Sequence, residues 1–314
     1  MGVFAVRRLF PLLLLSVLLT GCTKGAPESD SLPAQAVSVT DYCGNTVCFE
    51  TCPERVAAVS GSLGEVWLDA GGTLVGITQD AVTERDLDLP EETAIIGTIK
   101  EPNLEVLLSL EPDFVILSAD IASHRSLADT LKELQLPCGL FHEELFQDYL
   151  NILEQFTNLT GREDLYRQNG LDGQVEIGEI LNGNRRERES TVLLIRAYSS
   201  GFKAKGSDNL AGAILADFGL VNVLDRYDSL LEDISLEEII RVDPDYIFVT
   251  TMGTDTQAAL DNLARTLESS PAWSSLAAVE EGRCHVLPKE LFHYKPNSRW
   301  PEAYGYLADL LAES

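Results

Sequence analysis

The stretch NLEVLLSLEPDFVILSA, Asn103 to Ala119, reads as a short helix, a Pro-Asp break and an apolar strand. The stretch SLEEIIRVDPDYIFVTT, Ser235 to Thr251, reads the same way. Laid one over the other, they match Leu104 with Leu236, Glu105 with Glu237, Pro112 with Pro244 and Asp113 with Asp245. Each opens on a residue suited to cap a helix, Asn103 or Ser235, whose side-chain oxygen can accept a free N–H of the first turn. Each then sets a carboxylate in that first turn, where the helix dipole favours negative charge. Each ends in an unbroken apolar run, as a strand covered on both faces requires. One helix–strand unit is therefore written twice, once in each half of the chain.

The same alternation extends outward from both copies. Ahead of the first copy come the strand RVAAVS, the helix GSLGEVWLDAGG with its Gly-Gly stop, the strand LVGIT, the loop DAVTERDLDLPEE and the strand AIIG. Behind it come the helix HRSLADTLKELQL and the strand PCGLF. The second copy is preceded by the strand TVLLIRAYS and the helix SDNLAGAILADFG. It is followed by the helix DTQAALDNLARTL, the strand RCHVLP and the helix RWPEAYGYLADLLA. Short apolar strands alternating with helices predict α/β lobes with mainly parallel sheets. Between Phe146 and Asn184 apolar residues recur at helical spacing with no strand, and Gly161 divides the segment. Its second part predicts a helix of about 20 residues, or ~30 Å. The expected organisation is an N-terminal α/β lobe over 37–160, a connecting helix over 161–185 and a C-terminal α/β lobe over 186–314.

The first residues concern location. Arg7 and Arg8 precede the apolar run LFPLLLLSVLL, and small residues then lead to Cys22. A charged start, a short apolar run and small residues at a cut site describe a secretory signal, here 1–21. The run is shorter than the roughly 20 residues a membrane-spanning helix needs. The segment 22–36, TKGAPESDSLPAQA after its cysteine, is too poor in large apolar groups to fold and reads as a flexible tether.

Composition narrows the partners. With 50 acidic and 23 basic side chains the net charge is −27, which argues against nucleic acid. Besides Cys22 there are Cys43, Cys48, Cys52, Cys138 and Cys284. The first three crowd one apparent hairpin turning at Gly44-Asn45, where a disulfide or free thiols both fit, and pairing among the five cannot be read from spacing. His124, His142, His285 and His293 stand apart, without the converging ligands a free Zn²⁺ or Mn²⁺ site needs. The motifs of nucleophile elbows, zinc hydrolases, P-loops and dinucleotide folds are absent, so an enzyme is a distant alternative.

The order and spacing of PERVAAVSGSLGEVWLDAGG, IGTIKEPNLEVLLSLEPDFVI, ISLEEIIRVDPDYIFV and PAWSSLAAVEEGRCHVLPKE resemble the substrate-binding lipoproteins of ABC importers for ferric siderophores, haem and vitamin B12, from about Val37 to Ala312. The resemblance implies two Rossmann-like lobes joined by a single long rigid helix, with the ligand held between them and limited closure. It implies no intrinsic cofactor, a monomer, and partnership with an ABC permease and its ATPase. It also implies that Cys22 is the lipidated N-terminus of the mature protein, holding it at the extracytoplasmic face of the cell membrane. Glu105 and Glu237 match carboxylates that dock on the permease, although helix-start electrostatics alone would also account for them.

Ligands of α/β sheets sit beyond the carboxyl ends of strands. In the first half that rule nominates Ser60, Ser62 and Trp67, with core packing as the plain alternative for Trp67, then Thr98 and Lys100, and Ser118, Ala119 and Asp120. In the second half it nominates Arg196, Tyr198 and Lys205. It further nominates His293, Tyr294, Lys295, Arg299 and Trp300 from KELFHYKPNSRW, Lys289 to Trp300. Arg196 stands out because a charge inside the apolar strand VLLIRAY is costly unless paired with a partner or ligand. Cations with aromatics suit an anionic metal chelate. An iron–siderophore complex leads, followed by haem and then cobalamin. For haem, Tyr198, Tyr294 or His293 would be the axial ligand types to expect.

Overall fold

The apolar runs fold into two separate five-stranded sheets, preceded by a hairpin. In the computed structural model, residues 37–184, 189–227 and 232–313 are described. The expected signal segment 1–21, the tether 22–36 and Cys22 lie outside the described residues. The hairpin pairs β1 (Val37–Thr40) with β2 (Thr46–Phe49), antiparallel. The turn includes Gly44 at φ 82°, a left-handed conformation that glycine adopts without cost.

The first sheet contains β3 (Val56–Ala58), β4 (Leu74–Ile77), β5 (Ala94–Ile95), β6 (Phe114–Ser118) and β7 (Cys138–Phe141). Their order is β5-β4-β3-β6-β7 and every pairing is parallel. The second contains β8 (Ser190–Tyr198), β9 (Gly201–Lys205), β10 (Leu220–Asn222), β11 (Tyr246–Thr251) and β12 (Cys284–Val286). The order is β10-β8-β11-β12, all parallel, with β9 antiparallel on β8. The repeated unit thus supplies an interior strand to each sheet, β6 and β11, every residue of which is buried. The chain reverses its direction of sheet growth between β3 and β6, and again between β8 and β11. Such switch points open a crevice at the carboxyl ends of the strands.

The helices read between strands form where the sequence reading put them, and the structure adds short elements to them. The loop after β4 begins with a helical turn, Asp80–Thr83. GFKAK, whose lysines alternate with apolar residues, is a strand folded back on β8.

Between the lobes the helix Phe146–Thr160 stops at Gly161, whose φ of 70° ends the helix in the left-handed region. A helical path then runs through Glu163–Tyr166, a π-turn at Arg167–Leu171, and Asp172–Gly183. Gly170 sits inside the π-turn because a Cβ there would meet Leu150 Cδ2 at 2.9 Å. The last helix, Trp300–Ala312, packs along Asp172–Gly183.

One apolar cluster runs continuously through Phe114 and Phe141, the helix Phe146–Thr160, Trp300 and Phe248. The outer face of each sheet has its own cluster, around Leu117 in the first lobe and Ile247 in the second. The shared cluster ties both lobes to the helical segment between them. The five described cysteines are free thiols. No described helix is long and apolar enough to cross a membrane.

Candidate functional site

A cavity of about 300 Å³ lies at the carboxyl ends of the parallel strands, with walls from both lobes. The first lobe contributes Ser60 and Ser62 after β3, Asp80 and Arg85 after β4, Ser118 and Asp120 at the end of β6, and Glu143 and Glu144 after β7. The second contributes Arg196 of β8, Leu210 at the start of the helix Leu210–Asp217, and Phe292 to Lys295.

Each polar group is held by local structure. The carboxylate of Asp80 accepts from the backbone N–H of Gly61 at 2.7 Å, at the first turn of the helix Gly61–Asp69. Ser62 in the same turn donates to the Glu143 carboxyl. Glu143 is only 5% exposed, and burial pushes its pKa up despite the Ser62 hydrogen bond and the nearby charges of Arg85 and Lys295. Its neighbour Glu144 differs. Burial works to raise it, but the Lys295 ammonium, the Lys295 hydrogen bond and the Leu210 N–H at 2.9 Å together hold it below the usual carboxylate range. Two adjacent glutamates are thereby pushed apart in proton affinity.

On the facing wall, His293 is brought down to about 4 by burial first and then by the charges of Arg196, Lys289 and Lys295. Its imidazole is neutral at physiological pH. Tyr294 presents its ring to the Lys289 ammonium, 4.9 Å from the ring centre. Arg196, opposite Thr250 in the β8–β11 register, has a buried Nε with no hydrogen-bond partner among the described residues.

A polar seam joins the lobes beside the cavity. Arg85 pairs with Glu65, its Nε 2.8 Å from the carboxylate, and donates to the Lys295 carbonyl at 2.6 Å. Asn297 donates to the Ser62 carbonyl at 3.1 Å and to Glu65 at 2.8 Å. Asn297 is fully buried at φ 52°, in the left-handed region that asparagine tolerates better than most residues.

The nominated residues therefore divide. Ser60, Ser62, Ser118 and Asp120 of the first lobe and Arg196, His293, Tyr294 and Lys295 of the second come together at the cavity. The others do not. Trp67 is 1% exposed, donates its indole N–H to the Thr73 carbonyl and packs edge-on against Phe156, so it belongs to the core. Trp300, also 1% exposed, packs against Phe146 and Tyr304, because a large ring at the start of the last helix fills the space between helices. Lys205 is drawn off by Glu232 at 2.5 Å, on the added strand β9. Tyr198 ends β8 at the hairpin to Gly201, off the cavity wall. Arg299 grips Glu302 in the next helical turn with bonds of 2.7 and 2.8 Å and lines a smaller neighbouring recess. Lys100 is exposed and follows Ile99, which does line the cavity. Glu105 and Glu237 are both exposed in the first turns of equivalent helices, with no ion pair among the described residues.

The expected cationic wall is thus only partly formed. Arg85 and Lys295 are matched by Glu65 and Glu144, and Asp80, Glu84, Asp120 and Glu143 add negative charge. The reading from sequence nominated Asp120 and overlooked the other carboxylates. Glu143 and Glu144 follow the strand PCGLF after one residue, His142, so the strand-end rule applied once more would have found them.

A family model described as periplasmic binding protein matches residues 56–291. The Fe(3+)-citrate-binding protein YfmC of Bacillus subtilis (strain 168) is 25% identical over 285 residues, covering 87% of this chain and 86% of that protein. Two Staphylococcus aureus structures share the fold. SirA complexed with staphyloferrin B superposes with a TM-score of 0.70 at 17% identity, covering 88% of this chain and 98% of SirA. IsdE complexed with heme gives 0.68 at 17% identity, covering 82% and 98%.

Proposed function

Because the chain belongs to the periplasmic binding protein family, we propose that it captures a ferric siderophore-type chelate between its lobes and delivers it to an ABC permease with its ATPase. It is a transport-type binding protein and not an enzyme. In this reading Cys22 carries the lipid that holds the protein on the extracytoplasmic face of the membrane, and Glu105 and Glu237 dock on the permease. Similarity to the Fe(3+)-citrate-binding protein of Bacillus subtilis supports an iron chelate as cargo.

The observation that carries the reading is Arg196. Arg196 lines the inter-lobe cavity and its Nε has no hydrogen-bond partner among the described residues, and an anionic chelate in the cavity would offset the guanidinium charge. The cavity volume stands at the low end of the roughly 300–1,000 Å³ typical of ligand sites, which suits a compact chelate. Haem is the second reading, favoured by one feature: His293, kept neutral, retains the ring lone pair that an axial ligand needs.

Parallel titrations with ferric citrate, a ferric hydroxamate, haem and cobalamin, followed by tryptophan fluorescence, test the proposal. The expected result is micromolar or tighter binding of a ferric chelate and weak or no binding of cobalamin. Failure of every iron compound to bind would overturn it.

A further inference from the structure

Besides Arg196, two residues that line the cavity carry a buried carboxyl oxygen with no hydrogen-bond partner among the described residues, Asp80 Oδ1 and Glu143 Oε1. Both side chains are more than nine-tenths buried, Asp80 at 9% and Glu143 at 5% exposure. Neither is free to swing out to solvent. The second oxygen of Asp80 is fixed by the Gly61 N–H, and that of Glu143 by the Ser62 hydroxyl. The remaining oxygens are therefore set on the first-lobe wall, at the start of one helix. Leaving such an oxygen unpaired is costly, and more so when it is charged. The lone guanidinium nitrogen stands on the opposite lobe, on a strand that cannot move independently of its sheet. The two walls thus ask for opposite things.

We propose that this site selects a chelate with two unlike ends: an anionic face for Arg196 on the second lobe, and a hydroxyl or ammonium group donating to Asp80 and Glu143 on the first. The inference rests on the iron-chelate reading and adds the polarity of the ligand and its orientation. A chelate that is anionic all round would meet Arg196 well but would press lone pairs against two buried carboxyls. A donor-bearing tail relieves both. Ammonium and hydroxyl share this donor chemistry and differ in charge, and the raised proton affinity of Glu143 bears on which is preferred. An ammonium would draw that carboxyl into its charged form, so its binding would release a proton and tighten as pH rises.

The test uses the full chain and ferric complexes of three matched citrate monoamides. Their arms end in 2-aminoethyl, 2-hydroxyethyl or propyl, so only the terminal group differs. Calorimetric titration is expected to give the aminoethyl or hydroxyethyl complex an affinity at least tenfold above the propyl complex. Tighter aminoethyl binding with proton uptake by the buffer identifies an ammonium source; equal binding of the two polar arms identifies a hydroxyl-type donor. Glu143→Gln with Asp80→Asn should compress the polar-to-propyl ratio towards one. The arm comparison on the unmodified protein stands even where that variant does not fold. Propyl binding as tight as both polar arms would overturn the inference and leave the iron-chelate reading intact. Binding of none of the ferric complexes, plain ferric citrate included, would overturn both.

Discussion

Arg196 is where a single residue carries most of the argument. It is half-buried, and its Nε has no hydrogen-bond partner among the described residues, so its desolvation is only partly offset, by the nearby Glu144 carboxylate. The same charge, once matched by a ligand anion, contributes about 1.5–3 kcal/mol. Affinity and stability should therefore move in opposite directions in Arg196→Met, which keeps the unbranched apolar stem and removes the charged head. The expected outcome is a 10- to 100-fold weaker Kd for a ferric chelate, at 1.4 kcal/mol per tenfold, with a Tm equal to or above that of the unmodified protein. Unchanged affinity would remove Arg196 from the site. This residue was legible in sequence because charge inside an apolar strand is rare enough to mean something. Trp300 was misread for the complementary reason, and Trp67 took its core alternative. An aromatic ring near a strand end fits a cleft or a core equally well, and only packing against Phe156 or Phe146 decides. Lys205 shows a third limit, since its partner Glu232 is distant in sequence and meets it only through the β9 hairpin.

Among the elements, the helix Gly61–Asp69 serves both the cavity and the seam. Its first turn fixes Asp80 and Glu143, and its later turns carry Glu65 and Asp69. Asp69 ends the helix where the dipole is negative, an unfavourable place for a carboxylate. Burial first, and then the charge of Glu65, raise it to about 7 against the opposing hydrogen bonds of Ser298 and the charge of Arg85. The native state therefore binds this proton more tightly than the unfolded chain does. Its contribution is present below the ordinary carboxyl range near 4 and is lost as pH rises to about 7. Asp69→Asn removes the penalty. The variant should be more stable than the unmodified protein by on the order of 2 kcal/mol at pH 8 and by almost nothing at pH 4. Urea unfolding at the two pH values measures this, and an equal difference at both would refute the assignment. The helix itself was evident from its apolar spacing and Gly-Gly stop. Its role as support was not, because Asp80, Glu143 and Asn297 reach it from far along the chain.

At the scale of the whole molecule, the two lobes were readable because the chain spells one helix–strand unit twice. The seam between them was not, since Asn297 and Arg85 act through backbone carbonyls and a left-handed φ that no pattern announces. The same repeat places two carboxylates alike. Glu105 and Glu237 occupy equivalent first turns, both exposed, neither at the cavity, and neither ion-paired among the described residues. If they dock on basic groups of a permease, reversing both charges should leave the ligand Kd and the Tm unchanged, because exposed charges contribute little to folding. The same change should slow association with the permease, since rim charges act mainly on the rate of encounter. Glu105→Arg with Glu237→Arg is expected to lower ligand-stimulated ATPase activity of the reconstituted importer at least tenfold, each single reversal giving part of that loss. The defect of each single reversal should shrink at high salt, because salt screens exposed charges beyond about a Debye length. If the double variant still stimulates the ATPase fully, the two carboxylates are there only for their helices, and docking must be sought on another face of the lobes.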